Sequence, residues 1–140
     1  MKQVTQLLTA LTIVIGMMLT IGCEPDPVEP IGPSIDLVSL NGADIVADTV
    51  ELGESFTLNI SSLQGDVALT SIEVRENNVT VDASRIIFDG FAAQSNPNPL
   101  IDVANISWDI EITADSVLET TSTYSIIVVD ANAKSASASL

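Results

Sequence analysis

The stretch ISWDIEIT, residues 106–113, alternates apolar and polar side chains. In an extended chain, successive side chains point to opposite faces, so the four apolar residues share one face: Ile106, Trp108, Ile110 and Ile112. This period of two predicts a half-buried strand of an antiparallel sheet, with one face in the core and the other in solvent. It also predicts that Trp108 belongs to the core rather than to a surface that stacks on sugars.

The same period recurs along most of the chain from Ser34 onward. It is clear in SFTLNIS, residues 55–61, and it predicts further strands at about residues 35–40, 50–52, 69–76, 79–81, 85–88, 123–130 and 136–140. Turn-forming Gly, Asn and Asp residues separate these runs, and the sequence contains no convincing helical stripe. We therefore predict an all-β fold, an antiparallel sandwich of about seven strands over residues 34–140.

Three stretches of this domain resemble the Ig-like and PKD-like modules of bacterial surface proteins: VELGESFTLNISSLQGDVALTSIEVREN, NPNPLI and TYSIIVVDANAKSASASL. The resemblance implies a C strand in LTSIEV, a loop at NPNPLI, and an F strand that Tyr124 opens and Asp130 closes, with the Tyr124 hydroxyl tying a corner. The disulfide of antibody domains is absent because the chain has one Cys, and Trp108 falls on an E-like strand. Such modules serve for spacing, adhesion, glycan binding and partner docking alike, so the resemblance implies a fold and not one function.

The first 23 residues, MKQVTQLLTALTIVIGMMLTIGC, combine an early Lys with a long apolar run. This pattern predicts an exported protein with a signal peptide at residues 1–22. The end of the run, LTIGC, resembles the lipobox of bacterial lipoproteins, although Thr20 stands where that motif usually has Leu. The resemblance implies cleavage between Gly22 and Cys23 and lipidation of Cys23, which anchors such chains stably when two or more acyl chains are attached.

The stretch after Cys23, EPDPVEPIGP, alternates Pro with acidic side chains. Together with the lipidated Cys it predicts an extended tether, residues 23–33, that holds the domain away from the bilayer. It also resembles the acidic export signal of Bacteroidota surface lipoproteins, with Glu24, Asp26 and Glu29 as its acidic members. That resemblance implies a position on the outer face of the outer membrane.

The charge balance and the residue types exclude several classes of partner and of catalytic site. Four Lys and Arg stand against 19 Asp and Glu, which gives a net charge of −15. So acidic a chain repels phosphate backbones, which argues against nucleic acid as a partner. With no His and one Cys, the chain cannot build a zinc site, a Ser-His-Asp triad or a Cys-His dyad. We therefore expect no catalytic residues and no enzyme.

One stretch offers the best place for a ligand. It is FAAQSNPNPL, residues 91–100, in which two Asn-Pro pairs resist regular structure, and its candidate residues are Phe91, Asn96 and Asn98. In the alternative, the loop tucks Phe91 under the end of the sandwich.

Two further features concern calcium and glycans. Asp89, Asp130 and Asn132 lie at loop starts, where they could offer oxygens to Ca²⁺, although the sequence has no EF-hand run. Thr49 and Ser116 each follow an Asp, in triplets that resemble the O-glycosylation sites of exported Bacteroidota proteins. No other cofactor is expected.

Three functions stay open from the sequence. The first is a non-catalytic cell-surface lipoprotein module that spaces, adheres or docks to a partner protein. The second is a carbohydrate-binding accessory lipoprotein of a glycan-uptake system. The third and least favoured is a glycosidase that uses Asp109 and Glu111, which a strand would hold about 7 Å apart on one face. In the first two, the N-terminal lipid makes the membrane a partner.

Overall fold

The computed structural model describes residues 27–43, 53–115 and 121–140. In these ranges the chain forms one short 3₁₀ turn (Ala83–Arg85) and ten strands: β1 (Ser34–Leu40), β2 (Ser55–Leu63), β3 (Leu69–Glu76), β4 (Val79–Thr80), β5 (Ile86–Phe88), β6 (Phe91–Ala92), β7 (Asn98–Val103), β8 (Asn105–Thr113), β9 (Tyr124–Asp130) and β10 (Ser135–Ser139). Gly22, Cys23, Thr49 and Ser116 lie outside the described residues, as does the strand predicted at residues 50–52. No helix within the described ranges is long and apolar enough to cross a membrane.

The strands form two antiparallel sheets that pack as a sandwich. Sheet 1 has the order β1-β2-β8-β5-β6, and sheet 2 has the order β10-β9-β3, with β4 and β7 both on the remaining side of β3. Lettered by position, these orders read A-B-E-D and G-F-C, the arrangement of an Ig-like sandwich. The predicted fold class is confirmed, with Trp108 on the E-like strand β8 and with Tyr124 and Asp130 at the two ends of the F-like strand β9.

The described ranges hold more strands than the seven or so predicted, and part of the excess lies between β5 and β8. The short strand β6 lies in the stretch predicted to be irregular, residues 91–100, and β7 begins there. The prediction of a loop at NPNPLI was wrong, because β7 begins at Asn98 and pairs with β3. Pro99 is compatible with β7 because an edge strand has one side on which a missing N–H removes no ladder hydrogen bond.

Apolar side chains at alternating positions fill the space between the sheets. The fully buried ones, all 0% exposed, include Leu58, Ile60, Ile110 and Ile112 of sheet 1 and Ile72, Val74, Ile126 and Val128 of sheet 2. Each such side chain contributes about 1.5–3 kcal/mol by leaving water. The period of two therefore identified the faces that form the core.

Trp108 lies on the core side of β8, as predicted, but it is only partly buried. Its ring packs against that of Phe88, with 6.0 Å between the ring centroids. β5 pairs with β8 only from Ile110 to Ile112, so within the described residues β5 does not reach the part of β8 that carries Trp108. The indole is thus covered by Phe88 on one side and stays partly open to solvent.

Three tight turns have two central residues in the left-handed region. The φ angles are 50° and 75° at Asn41–Gly42, 50° and 66° at Asn77–Asn78, and 48° and 82° at Asp89–Gly90. Two successive positive φ angles are typical of the type I′ turn, whose twist matches that of the flanking strands. Asn, Asp and Gly tolerate this region best, so the residue types and the turn geometry agree.

The sandwich has two ends, which we call the near pole and the far pole. At the near pole β1 begins, where Ser34 pairs with Leu63, and the loop between β2 and β3 and the turn between β9 and β10 lie there as well. At the far pole Glu76, the last residue of β3, pairs with Tyr124, the first residue of β9. The tether therefore joins the sandwich at the near pole.

Candidate functional site

The predicted ligand residues lie on different elements. Phe91 is in β6 at the margin of sheet 1, and its side chain is 75% exposed. Asn98 begins β7 in sheet 2, opposite Ile72, and Asn96 precedes it. The alternative in which Phe91 tucks under the sandwich is wrong, because its ring is open to solvent. Of the three candidates, Phe91 is the one whose side chain is most available to a ligand.

The side-chain amide of Asn96 completes the pairing of β3. Its Oδ1 accepts a hydrogen bond from the N–H of Val74 at 3.0 Å, and its Nδ2 donates to the carbonyls of Val74 and Val81 at 2.7 Å each. These bonds fill the gap between the part of β3 that pairs with β4 and the part that pairs with β7. Asn96 therefore holds the backbone together, and its amide is occupied.

The calcium candidates Asp89, Asp130 and Asn132 are divided between the two sheets. Asp89 lies in the turn between β5 and β6 of sheet 1, whereas Asp130 ends β9 of sheet 2 and Asn132 follows it in the next turn. The structure describes no group of three or more His, Cys, Asp or Glu side chains that could hold a metal ion. The three residues are thus not brought together in one place.

Asp130 shapes the turn between β9 and β10. Its Oδ1 accepts hydrogen bonds from the N–H groups of Asn132 at 2.9 Å and Lys134 at 2.8 Å. The residue is 2% exposed, and its second oxygen, Oδ2, has no hydrogen-bond partner among the described residues. An unpartnered buried oxygen costs free energy, and the two bonds to Oδ1 offset part of that cost. The carboxylate acts here as a turn-forming group.

A polar cleft lies on the outer face of sheet 1, beside the turn that follows β1. It has a volume of about 530 Å³ and is lined by Ser39, Asn41, Gly42, Thr57, Asn59 and Asp109. These residues offer hydroxyl, amide and carboxylate groups, which can exchange hydrogen bonds with a polar ligand such as a sugar. This polar cleft is open to solvent and is one candidate site for a polar ligand.

Hydrogen bonds hold the floor and one wall of the polar cleft. On the floor, Asn59 Nδ2 donates to Asp109 Oδ1 at 2.8 Å, across the pairing of β2 with β8. At the wall, Asn41 Oδ1 accepts from the N–H of Thr57, and the N–H of Asn41 donates to the carbonyl of Thr57, both at 2.8 Å. The Asn41–Gly42 turn is thereby pinned to β2, so the cleft is preformed in the described residues.

The polar cleft was missed by the sequence reasoning, although part of its signal is visible. Thr57, Asn59 and Asp109 stand at outward positions of two alternating runs, and Asn-Gly is a strong turn signal. That Asn59 faces Asp109, however, depends on the register between two strands that are 50 residues apart in the chain. Alternation alone does not determine register between distant strands.

The two carboxylates of the glycosidase hypothesis lie on the outward face of β8, as predicted. Asp109 lines the polar cleft and accepts the hydrogen bond from Asn59. Glu111 pairs by its backbone with Thr57 and is not among the lining residues. The arrangement offers one carboxylate, rather than a facing pair, to a ligand in the cleft.

A second polar cluster lies at the far pole and joins the two sheets. Arg85 pairs with Glu76 at 3.0 Å, and its Nε donates to the carbonyl of Thr113 at 2.8 Å. Tyr124 is buried, and its ring makes a T-shaped contact with that of Phe56, at a centroid distance of 4.9 Å and an interplanar angle of 66°. Burial, helped by a hydrogen bond to Glu76, raises the pKa of Tyr124 to about 12. Tyr124 therefore lies in the core at the far pole, and the corner role of its hydroxyl stays a prediction.

Among the described residues, the polar cleft and the exposed ring of Phe91 are both open to a ligand. The far-pole cluster, by contrast, is largely used to hold the sheets together. No protein-family model matches the chain, and no curated protein is similar to it in sequence.

Proposed function

We propose that this protein is a non-catalytic lipoprotein module of the cell surface, anchored through Cys23. It docks to a partner protein or holds that partner at a distance from the membrane. The observation that carries the proposal is the path of the chain through the sandwich. The tether joins at the near pole, where Ser34 pairs with Leu63. Strand β10 leads back to the far pole, where the N–H and carbonyl of Leu140 bond with those of Tyr124 at 2.9 and 3.1 Å.

The tether and the far pole are therefore separated by the full length of the sandwich. The seven residues of β9 run from the far pole to the near pole. At about 3.3 Å per residue they span roughly 23 Å. Whatever binds at the far pole is held off by that distance in addition to the tether, as expected of a spacer.

The composition supports a position outside the cytoplasm. The net charge of −15 favours solubility at a crowded surface and disfavours contact with anionic headgroups. An acyl chain contributes about 0.8 kcal/mol per buried CH₂, so two or three chains on Cys23 hold the protein in the membrane without help from the sandwich.

Metabolic labelling with a palmitate analogue tests the anchor. The wild-type chain should incorporate the label, and Cys23→Ala should abolish incorporation. Thr20→Leu, which brings the motif closer to the lipobox pattern, is the matched control and should keep the label. Equal labelling of wild type and Cys23→Ala would overturn the proposed anchor, and loss of the domain on protease treatment of intact cells would support exposure at the surface.

Carbohydrate binding is the second candidate, and the polar cleft is the observation that favours it. Sugars are recognised by hydroxyl, amide and carboxylate groups of the kind that line the cleft, and often also by an aromatic ring. A glycan array probed with the full chain, with and without calcium, tests this candidate. Asn59→Ala should weaken binding in the cleft, and Phe91→Ala should weaken binding at the margin of sheet 1. If no glycan on a broad array is bound, the spacer proposal is favoured over carbohydrate binding.

A further inference from the structure

The last residues of the tether are bound to the sandwich at the near pole. The N–H of Ile31 donates to Oδ2 of Asp66 at 2.7 Å, and the N–H of Asp66 donates back to the carbonyl of Ile31 at 3.0 Å. Nζ of Lys134 donates to the carbonyl of Pro30 at 2.7 Å. The tether is therefore held by two separate parts of the sandwich, the loop between β2 and β3 and the turn between β9 and β10.

Two glycines allow this close approach. A Cβ atom on Gly65 would overlap the carbonyl oxygens of Ile31 and Gly32, and a Cβ atom on Gly32 would lie 3.3 Å from Cβ of Lys134. Backbone thus packs on backbone at a distance that side chains would prevent. Because Ile31 is 66% exposed, hydrogen bonds rather than apolar burial hold the contact.

The use of Lys134 stands out in so acidic a chain, which has four basic residues. Arg75 and Arg85 pair with the carboxylates of Glu73 and Glu76, whereas Lys134 donates to a backbone carbonyl of the tether. Hydrogen bonds with one charged partner are stronger than neutral ones. Both the Lys134 bond and the bond from Ile31 to Asp66 are of this kind.

We propose that Pro30, Ile31, Gly32, Asp66 and Lys134 form a tether latch that fixes the direction in which the sandwich stands on its anchor. The proposal rests on the lipid anchor proposed at Cys23. With the tether latch closed, the chain from Pro30 onward moves as part of the sandwich. The near pole then faces the bilayer, and the far pole is the surface presented to a partner protein.

Hydrogen exchange measures the tether latch directly, in the full-length lipidated protein in detergent micelles. The amides of Ile31 and Asp66 should exchange slowly in the wild type. Asp66→Ala should speed exchange at Ile31 about tenfold, the ratio that corresponds to one typical hydrogen bond. Asp66→Asn keeps an acceptor oxygen and should restore most of the protection. Asp36→Ala, which removes an exposed carboxylate of β1, is the control and should leave Ile31 unchanged.

Fluorescence quenching in phosphatidylcholine vesicles measures the orientation. A fluorophore is attached at the near pole through Gln64→Cys or at the far pole through Thr123→Cys, both exposed positions, and the vesicles carry a headgroup quencher. In the otherwise wild-type chain, the near-pole label should be quenched several-fold more strongly than the far-pole label. Combining Asp66→Ala with Lys134→Met, which keeps the aliphatic stem beside Gly32, should bring the two values together.

The outcomes separate failure of the latch from failure of the anchor. Fast exchange at Ile31 in the wild type, or equal quenching at the two poles, would overturn the tether latch. Failure of the protein to sediment with the vesicles would overturn the anchor, while slow exchange at Ile31 would still support the contact itself. Thermal unfolding of the variants checks that each remains folded, and Asp66→Asn serves as the folded comparison if Asp66→Ala does not.

Discussion

Strand β8 and the segment of residues 91–103 are neighbours in the chain but are held in place by different interactions. In β8, alternating Ile side chains pack into the core and every residue pairs with β2. In residues 91–103, two short strands belong to different sheets, and the amide of Asn96 between them completes the pairing of β3. A periodic pattern thus builds one region, whereas a single polar side chain that meets distant backbone groups builds the other.

The largest effect is expected where the regular region is broken at its core. Ile110 is 0% exposed, so Ile110→Ala leaves a cavity between the sheets and should lower the free energy of unfolding by about 2–5 kcal/mol. Ser107→Ala, on the outward face of the same strand, is the control and should change it by less than about 0.5 kcal/mol. Denaturant unfolding followed by circular dichroism measures both. Equal losses would contradict the assignment of the two faces.

The next largest effect is expected in the irregular region, at the side chain of Asn96. Asn96→Ala removes three hydrogen bonds and should lower the free energy of unfolding by about 2–3 kcal/mol, because buried backbone groups of β3 lose a partner. Asn98→Ala, two residues further along, is the matched control and should cost clearly less. If the same unfolding measurement gave equal losses for both, Asn96 would not be the residue that completes β3.

A smaller effect is expected in the turn after β9, where the side chain of Asp130 binds two backbone N–H groups. Asp130→Ala removes the acceptor of two N–H groups and should cost about 1–3 kcal/mol. Asp130→Asn keeps an oxygen for those groups and changes only the unpartnered Oδ2, so its loss should be smaller. Thermal unfolding compares the two variants, and equal losses would indicate that Oδ2 has an interaction of its own.

The smallest effect concerns the outer face of β3, the strand that Asn96 completes. The hydrogen bond from Arg75, helped by one from Thr80, holds the pKa of Glu73 below its usual value of 4.5. A lowered pKa in the folded state means that the ionised carboxylate stabilises the fold above pH 4.5 and that this contribution is lost as the pH falls further.

Glu73→Gln should therefore cost less than about 1 kcal/mol at pH 7, as is usual for ion pairs near the surface, and still less at pH 3. Unfolding curves across this pH range provide the measurement, with Glu54→Gln at an exposed position before β2 as the control. A cost that grew as the pH fell would reverse the sign of the argument.

The regular strands were predictable because side-chain alternation is a local property. The runs that became β2, β3, β8 and β9 all show it, and the order of the sheets agrees with the resemblance to Ig-like modules. The type I′ turns were also marked, since Asn, Asp and Gly occupy their positive-φ positions. For these elements, the local conformational preference of each residue agrees with the conformation it adopts in the fold.

The candidate site was less predictable than the fold. Phe91 is exposed and its role in binding a ligand stays a prediction. Asn96 was singled out for its position beside a Pro, but its amide serves the backbone of β3. The polar cleft was missed because its floor depends on the register between β2 and β8, which no local sequence pattern predicts.

The sequence by itself determined that the chain is a β-sandwich, which side chains form its core and where its tight turns lie, because period and turn chemistry act between neighbours along the chain. Only the tertiary structure decided that Asn59 meets Asp109, that Asn96 completes β3 and that Ile31 binds Asp66. Each of these contacts joins residues that are between 15 and 50 positions apart. Such contacts form only after the sheets have paired and packed, and the polar groups that meet there are set by register and by loop path.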